Sequence, residues 1–344
     1  MPADVAFVAG RLRPFLAGLM TGEQAAWKEH GSPWRDVPRA LARYVDGGKA
    51  LRPRFCYWGH AISGKRAGSS LMRACAALEL LHAFALTHDD LMDQSAMRRG
   101  VPSLHRQFAA EHRQHGWAGD PDAYGQAVAM LTGDYSFALA SRLSATLPPR
   151  ARLVWARIVD ELTVGQSLDL AGAARQDRSA EVARTTAVLK SGRYTVTGPL
   201  RLGAALAGQA ELPASLVRYG DLVGEAFQLR DDLLGVFGDP HRTGKPVGED
   251  LRSGKPTQLI AAAAAMLPPG RRQLLSRVGS PALTGTDTAE LTEALAACGA
   301  RDRIERRIAG NVRTACALAR RAAPPGRVRQ ALCDLAAAAA DRRE

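Results

Sequence analysis

The sequence is sparing in cysteine, in aromatic residues and in long apolar runs, and each scarcity closes off a class of protein. Its five cysteines, Cys56, Cys75, Cys298, Cys316 and Cys333, are scattered over 344 residues. No two stand at zinc-like CxxC spacing. Their odd number argues against a disulfide framework and suits core thiols in a reducing compartment. The first 20 residues contain no clean apolar stretch, so no signal peptide is expected. The longest apolar run, Leu259–Leu267, has nine residues, about half a membrane span. No transmembrane segment and a cytoplasmic protein are therefore expected. Neither GxGxxG nor GxxxxGK[ST] occurs. With 33 Gly and 19 Pro, the chain is not fibrous or low in complexity. Aromatics make up 6% of the residues, few for stacking on bases, and nucleic acid is not an expected partner.

What is present is apolar and helical in period. With 46% hydrophobic and 23% charged residues, the chain can bury a sizeable core. Its net charge of +12 suits an anionic partner, such as a phosphorylated small molecule. From Leu71 to Leu86 the chain is apolar with few breaks and reads as a buried helix. Further helices are expected near 35–46, 123–145, 151–173, 179–206, 214–237, 255–267, 288–297, 302–321 and 327–341. Alanine runs at 261–265 and 336–340 favour helix over strand. No convincing strand is found. The expectation is an all-α fold, one large helical bundle around a deep central cavity, with residues 1–344 as a single domain.

Chemistry concentrates in two acidic clusters. The first, His88-Asp89-Asp90-Leu91-Met92-Asp93, closes the apolar helix. Asp89 and Asp93 are spaced i, i+4 and share a face. Three carboxylates at the negative end of a helix repel one another, and a hard divalent cation would relieve them. Read alone, DDxxD is short, and a solvated acidic helix end explains it as well. The second cluster, Phe227-Gln228-Leu229-Arg230-Asp231-Asp232, follows ~140 residues later on another apolar helix. Two such clusters facing across a bundle could hold several Mg²⁺ ions around one diphosphate. Lysines and arginines in Gly- and Pro-rich segments suit phosphate contact: Lys49 and Arg52, Arg98 and Arg99, Lys190, Lys245 and Lys255.

Together these segments resemble the trans-isoprenyl diphosphate synthase (polyprenyl synthetase) family, from about residue 45 to about 260. DDLMDQSAMRRGVPS is similar to the family's first Asp-rich motif and the Arg pair after it. The resemblance implies an all-α homodimer that joins isopentenyl diphosphate head to tail to an allylic prenyl diphosphate, using about three Mg²⁺ ions per site. It implies that Asp89, Asp90 and Asp93 bind Mg²⁺ at the first motif and Asp231 and Asp232 at the second. Arg98, Lys190, Ser191, Lys245 and Lys255 would hold the allylic diphosphate, with Gln228 near the reacting carbon. Lys49, Arg52, His82 and Arg99 would hold isopentenyl diphosphate. Two departures stand out. The third carboxylate of the second motif is replaced by Gly235, and the family's Lys-Thr pair is Lys190-Ser191.

Product length is expected from the same helix, where the growing tail would run back from Asp89. Ala85, Leu81 and Leu78 lie within ~80° of the Asp89 face, and Phe84 matches a family chain-length position. One bulky residue, with small Ala85 beside it, resembles twenty-carbon synthases more than farnesyl synthases, which carry two adjacent aromatics. A class I terpene cyclase shares DDxxD, but its Asn/Ser/Glu metal motif is absent from this sequence. A non-catalytic partner subunit would be expected to lose acidic residues, and here the first motif is intact.

Overall fold

A computed structural model describes residues 1–31, 36–46, 48–239, 248–280 and 282–341. Among these residues the fold is all-α apart from one two-residue strand pair, and the chain divides into two compact units. The first comprises Met1–Arg152 with Leu202–Gln209; the second comprises Leu153–Arg201 with Ala210–Glu344.

In the first unit α1 (Ala3–Phe7) runs through a π-helical turn, Val8–Leu12, into α2 (Arg13–Ala26). There follow α3 (Val37–Asp46), α4 (Leu51–Ala61), α5 (Ser69–Met92), α6 (Leu104–His115) and α7 (Pro121–Ala145). Gly116 closes α6 in the left-handed conformation, at φ 61°. Asp120 caps α7 by accepting from the Asp122 amide at 2.9 Å, with Pro121 in the first turn. α5 is the spine, packed chiefly on α7 and α4. Leu71, Leu78, Leu80 and Leu81 of α5 are wholly buried, each contributing roughly 1.5–3 kcal/mol of transfer free energy. Among the described residues α5 alone is long and apolar enough to cross a membrane, but 67% of that window is buried inside the fold.

α8 (Pro149–Ala174) carries the chain into the second unit. α9 (Ala180–Thr186) continues through a π-helical stretch, Ala187–Thr197, into α10 (Gly198–Leu206). Next come α11 (Ala214–Phe237), α12 (Glu249–Ser253), α13 (Gln258–Met266), a 3₁₀ segment at Pro269–Arg277, α14 (Gly285–Ala297), α15 (Ala300–Ala322) and α16 (Arg327–Ala340). α11 packs on the π-helical stretch and on α15. Its Leu229 and Leu233 join Leu259, Leu295, Ile304 and Ile308 in the core of this unit.

The helices expected from 121 onward form within a few residues of their expected ends. Those at 3–26, 51–61 and 104–115 were not expected. α6 buries only Leu104, His105, Phe108, Ala109 and His112, so its apolar stripe is interrupted by histidine. α4 has Pro53 in its first turn. Of the cysteines, Cys56 and Cys75 are buried, whereas Cys298, Cys316 and Cys333 are only half-buried; all five are free.

Candidate active site

The first acidic cluster forms the last turn of α5. Asp90 is buried, 1% exposed. The Arg98 Nε donates to both its oxygens, at 2.9 and 3.1 Å, and Nη2 donates to Oδ1. The Tyr44 hydroxyl donates to Oδ2 at 3.2 Å. Burial of Arg98 favours losing its charge, but Asp90 and Asp89 outweigh this and hold the guanidinium above its ordinary pKa. Burial and then the Asp90 charge raise the Tyr44 pKa well above the usual phenol range. Arg98 reaches Asp90 because Met97–Arg98 (β1) pairs with Val101–Pro102 (β2) across a two-residue turn. Arg99 and Gly100 both have positive φ there, 52° and 77°, as a type I′ hairpin turn requires. Arg98 thus turns to Asp90 while the Arg99 Nη1 donates to the Tyr44 carbonyl at 3.3 Å. Asp89 lies 3.5 Å from Arg98 Nη2, and Asp93 is one turn further along.

A second arrangement in the same unit brings together two of the residues expected to hold isopentenyl diphosphate, Arg52 and Arg99. Glu79 of α5 is 5% exposed. Burial pushes its carboxyl up to about 7, while the charges of Arg52, Arg99 and Arg13 pull it down. The Arg99 guanidinium lies against Gly48, 3.0 Å from where a Cβ would stand, and Arg13 Nη2 donates to the Gly48 carbonyl at 3.4 Å. Lys49 is exposed beside them, and His82 is half-buried on α5. Of the chain-length residues, Leu81 is wholly buried and Ala85 is half-buried. The Phe84 ring lies 4.5 Å from that of His88 and 5.1 Å from that of Phe137 on α7.

In the second unit the Lys190 Nζ donates to Asp169 Oδ2 at 2.6 Å. Asp169 is buried on α8, and Lys190 lies in the π-helical stretch with Ser191. Gly165, one turn before Asp169, allows this approach: a Cβ there would lie 2.2 Å from the Lys190 amide nitrogen. The second acidic cluster is on α11. The Gln228 Nε2 donates to Asp232 Oδ1 at 2.7 Å, and the Gln258 amide donates to Oδ2 at 3.3 Å. Asp232 is 3% exposed. Burial above all, with the charges of Asp250 and Asp231, pushes its carboxyl up to about 8. Asp231 is half-buried. The Lys255 Nζ lies 3.7 Å from Asp250. Lys245 lies outside the described residues.

The donors at both clusters are carboxylate oxygens with no thiolate among them, which fits Mg²⁺. Among the described residues no three His, Cys, Asp or Glu are gathered closely enough to hold a metal ion by themselves. Sequence reasoning missed Tyr44, Glu79, Asp169 and Asp250. Glu79 and Asp169 are single acids and Asp250 follows Glu249 in a short loop-like run, and only folding brings any of the four to the site residues.

The polyprenyl synthetase family model matches residues 36–296. A geranylfarnesyl diphosphate synthase of Aeropyrum pernix is 32% identical over 272 residues, 76% of this chain and 79% of its own. A nonaprenyl diphosphate synthase of Mycobacterium tuberculosis is 32% identical over 250 residues, 72% of this chain and 69% of its own. The crystal structure of a geranylgeranyl pyrophosphate synthase from Corynebacterium glutamicum, complexed with isoprenyl diphosphate and magnesium, matches with a TM-score of 0.90. It is 34% identical, and the match covers 98% of this chain and 99% of that one.

Proposed function

The chain belongs to the polyprenyl synthetase family and is a prenyltransferase, and from this premise we propose that it is a Mg²⁺-dependent short-chain synthase making geranylgeranyl diphosphate. It joins isopentenyl diphosphate to an allylic prenyl diphosphate head to tail, with all-trans geometry. The observation that carries the reading is the end of α5, where Asp89 and Asp93 stand beside an Asp90 already neutralised by Arg98.

In this reading Asp89, Asp93 and Asp231 would hold the Mg²⁺ ions; of the five acids expected there, Asp90 is instead taken up by Arg98 and Tyr44, and Asp232 by Gln228 and Gln258. Bound Mg²⁺ supplies the positive charge that makes the allylic diphosphate a good leaving group. Lys190, Ser191, Arg98, Lys245 and Lys255 bind that diphosphate, with the Lys190 ammonium aimed by Asp169. Lys49, Arg52, His82 and Arg99 bind isopentenyl diphosphate, the two arginines drawn together by Glu79. Gln228, its amide oriented by Asp232, lies near the reacting carbon. As the diphosphate leaves, the allylic cation is attacked by the isopentenyl double bond. A proton then passes to the departed diphosphate, so no Ser, Cys or His nucleophile is needed. The apolar residues of α5 exclude the water that would quench the cation.

Twenty carbons are favoured because bulky Phe84, backed by Phe137, stands beside the small Ala85. A cytoplasmic homodimer completes the reading. Adjacent Met130 and Leu131 on α7 are 53% and 51% exposed, which supports self-association, and five free cysteines suit a reducing compartment. The test is incubation with Mg²⁺, labelled isopentenyl diphosphate and dimethylallyl, geranyl or farnesyl diphosphate in turn. Geranylgeraniol after dephosphorylation is expected. A farnesol endpoint would keep the reaction and overturn the length; no extension of any primer would overturn the reaction.

A further inference from the structure

The α5 cluster carries an i, i+4 carboxylate pair, Asp89 and Asp93, and its middle acid Asp90 is committed to Arg98 and Tyr44. On α11 the middle acid is committed as well: both oxygens of Asp232 accept hydrogen bonds, from Gln228 and Gln258. The i, i+4 pair, however, is broken, because the partner of Asp231 is Gly235. Yet the space beside Gly235 is filled. A Cβ at this position would stand 1.9 Å from Asp250 Oδ2 and 2.4 Å from its Cγ. Those separations are far inside any van der Waals contact. The carboxylate of α12 therefore occupies the volume in which a side chain at 235 would begin, and any residue larger than glycine would expel it.

We propose that Asp250 supplies, from a different helix, the carboxylate that α11 lacks at Gly235, so that Asp231 and Asp250 together serve the cation that Asp89 and Asp93 serve on α5. The inference rests on the Mg²⁺-dependent reading above. The side chain is positioned for this. It is 16% exposed, the Lys255 ammonium lies 3.7 Å away, and it is close enough to Asp232 for the two charges to act on each other. Gly235 and Asp250 then form one arrangement: the glycine is the gap that admits the acid. Asp239, four residues beyond Gly235, is exposed beyond the end of α11.

The full-length protein is titrated with Mg²⁺ in the presence of inorganic diphosphate, and binding is read as the rise in unfolding temperature, without turnover. Asp250→Asn keeps the shape beside Gly235 and removes the charge. It is expected to raise the half-saturating Mg²⁺ concentration ~10–100-fold, the range for altered metal-site support. Moving the acid back, in the double variant Gly235→Asp with Asp250→Gly, should recover most of the loss, and Asp239→Asn should leave the midpoint in place. An unchanged midpoint in Asp250→Asn, with normal wild-type binding, overturns the proposal. A loss that the double variant does not recover also overturns it, because Asp250 would then act only by holding Lys255. A wild-type protein indifferent to Mg²⁺ and diphosphate overturns the underlying metal-dependent reading and this proposal with it.

Discussion

The ends of α5 and α11 carry similar acids and neutralise them differently. At α5 the buried acid, Asp90, has a guanidinium and a phenol bound to it. At α11 the buried acid, Asp232, has, among the described residues, an amide side chain and a backbone N–H bound to it, and two further carboxylates raise its pKa. Both lie near helix C-termini, where the dipole already disfavours negative charge. The protein supplies the balancing charge at α5. At α11 a proton supplies it in the metal-free protein.

The largest expected effect tests this directly. Asp90→Ala leaves the Arg98 guanidinium largely buried without its closer partner and with Asp89 still 3.5 Å away, which should cost ~3–5 kcal/mol of stability in chemical denaturation. Asp232→Asn removes a carboxyl that is already protonated at neutral pH and should cost the metal-free protein far less. Equal losses would show that the two ends do not differ as described. Next, Asp89→Asn and Asp93→Asn should each lower kcat by ~10²–10³, in line with the loss of one group stabilising a developing charge, while leaving unfolding temperatures near wild type.

The comparison also sets a pH dependence. Burial above all pushes the folded Asp232 carboxyl up to about 8, from an ordinary value of 3.8. Between those values the folded chain holds a proton that the unfolded chain has lost. Stability from this group is therefore greatest at low pH and falls as pH rises from about 4 to about 8. Denaturation of the metal-free protein across that window should show the decline, and Asp232→Asn should reduce its slope, leaving the part due to Glu79, whose buried carboxyl is pushed up to about 7. A curve of the same slope in the variant would place the proton elsewhere. The smallest effect concerns aim: Asp169→Asn should raise KM for the allylic diphosphate about tenfold, with KM for isopentenyl diphosphate unchanged.

The sequence already showed the helical fold and the two acidic clusters, because they lie in short contiguous runs: DDLMD with its Arg pair, and FQLRDD. Helical period was readable wherever an apolar stripe was continuous, as in α5 and α11, and was lost where histidine or proline broke it, as in α6 and α4. The division of labour within each cluster was not readable. DDLMD presents three like acids, and only the hairpin turn at Arg99-Gly100 commits Asp90 to Arg98. Gly235 reads as a missing carboxylate because the residue filling its place comes 15 positions later, on another helix. Asp169 reads as an ordinary acid on a long helix until Gly165 lets Lys190 approach.

The most direct test of the central claim is stoichiometric: with farnesyl diphosphate as primer and Mg²⁺ present, diphosphate released is measured against isopentenyl diphosphate incorporated. Head-to-tail condensation predicts one diphosphate for each isopentenyl unit, a twenty-carbon product, and no release when Mg²⁺ is chelated. Diphosphate released from farnesyl diphosphate without isopentenyl incorporation would contradict the account and point to a cyclase.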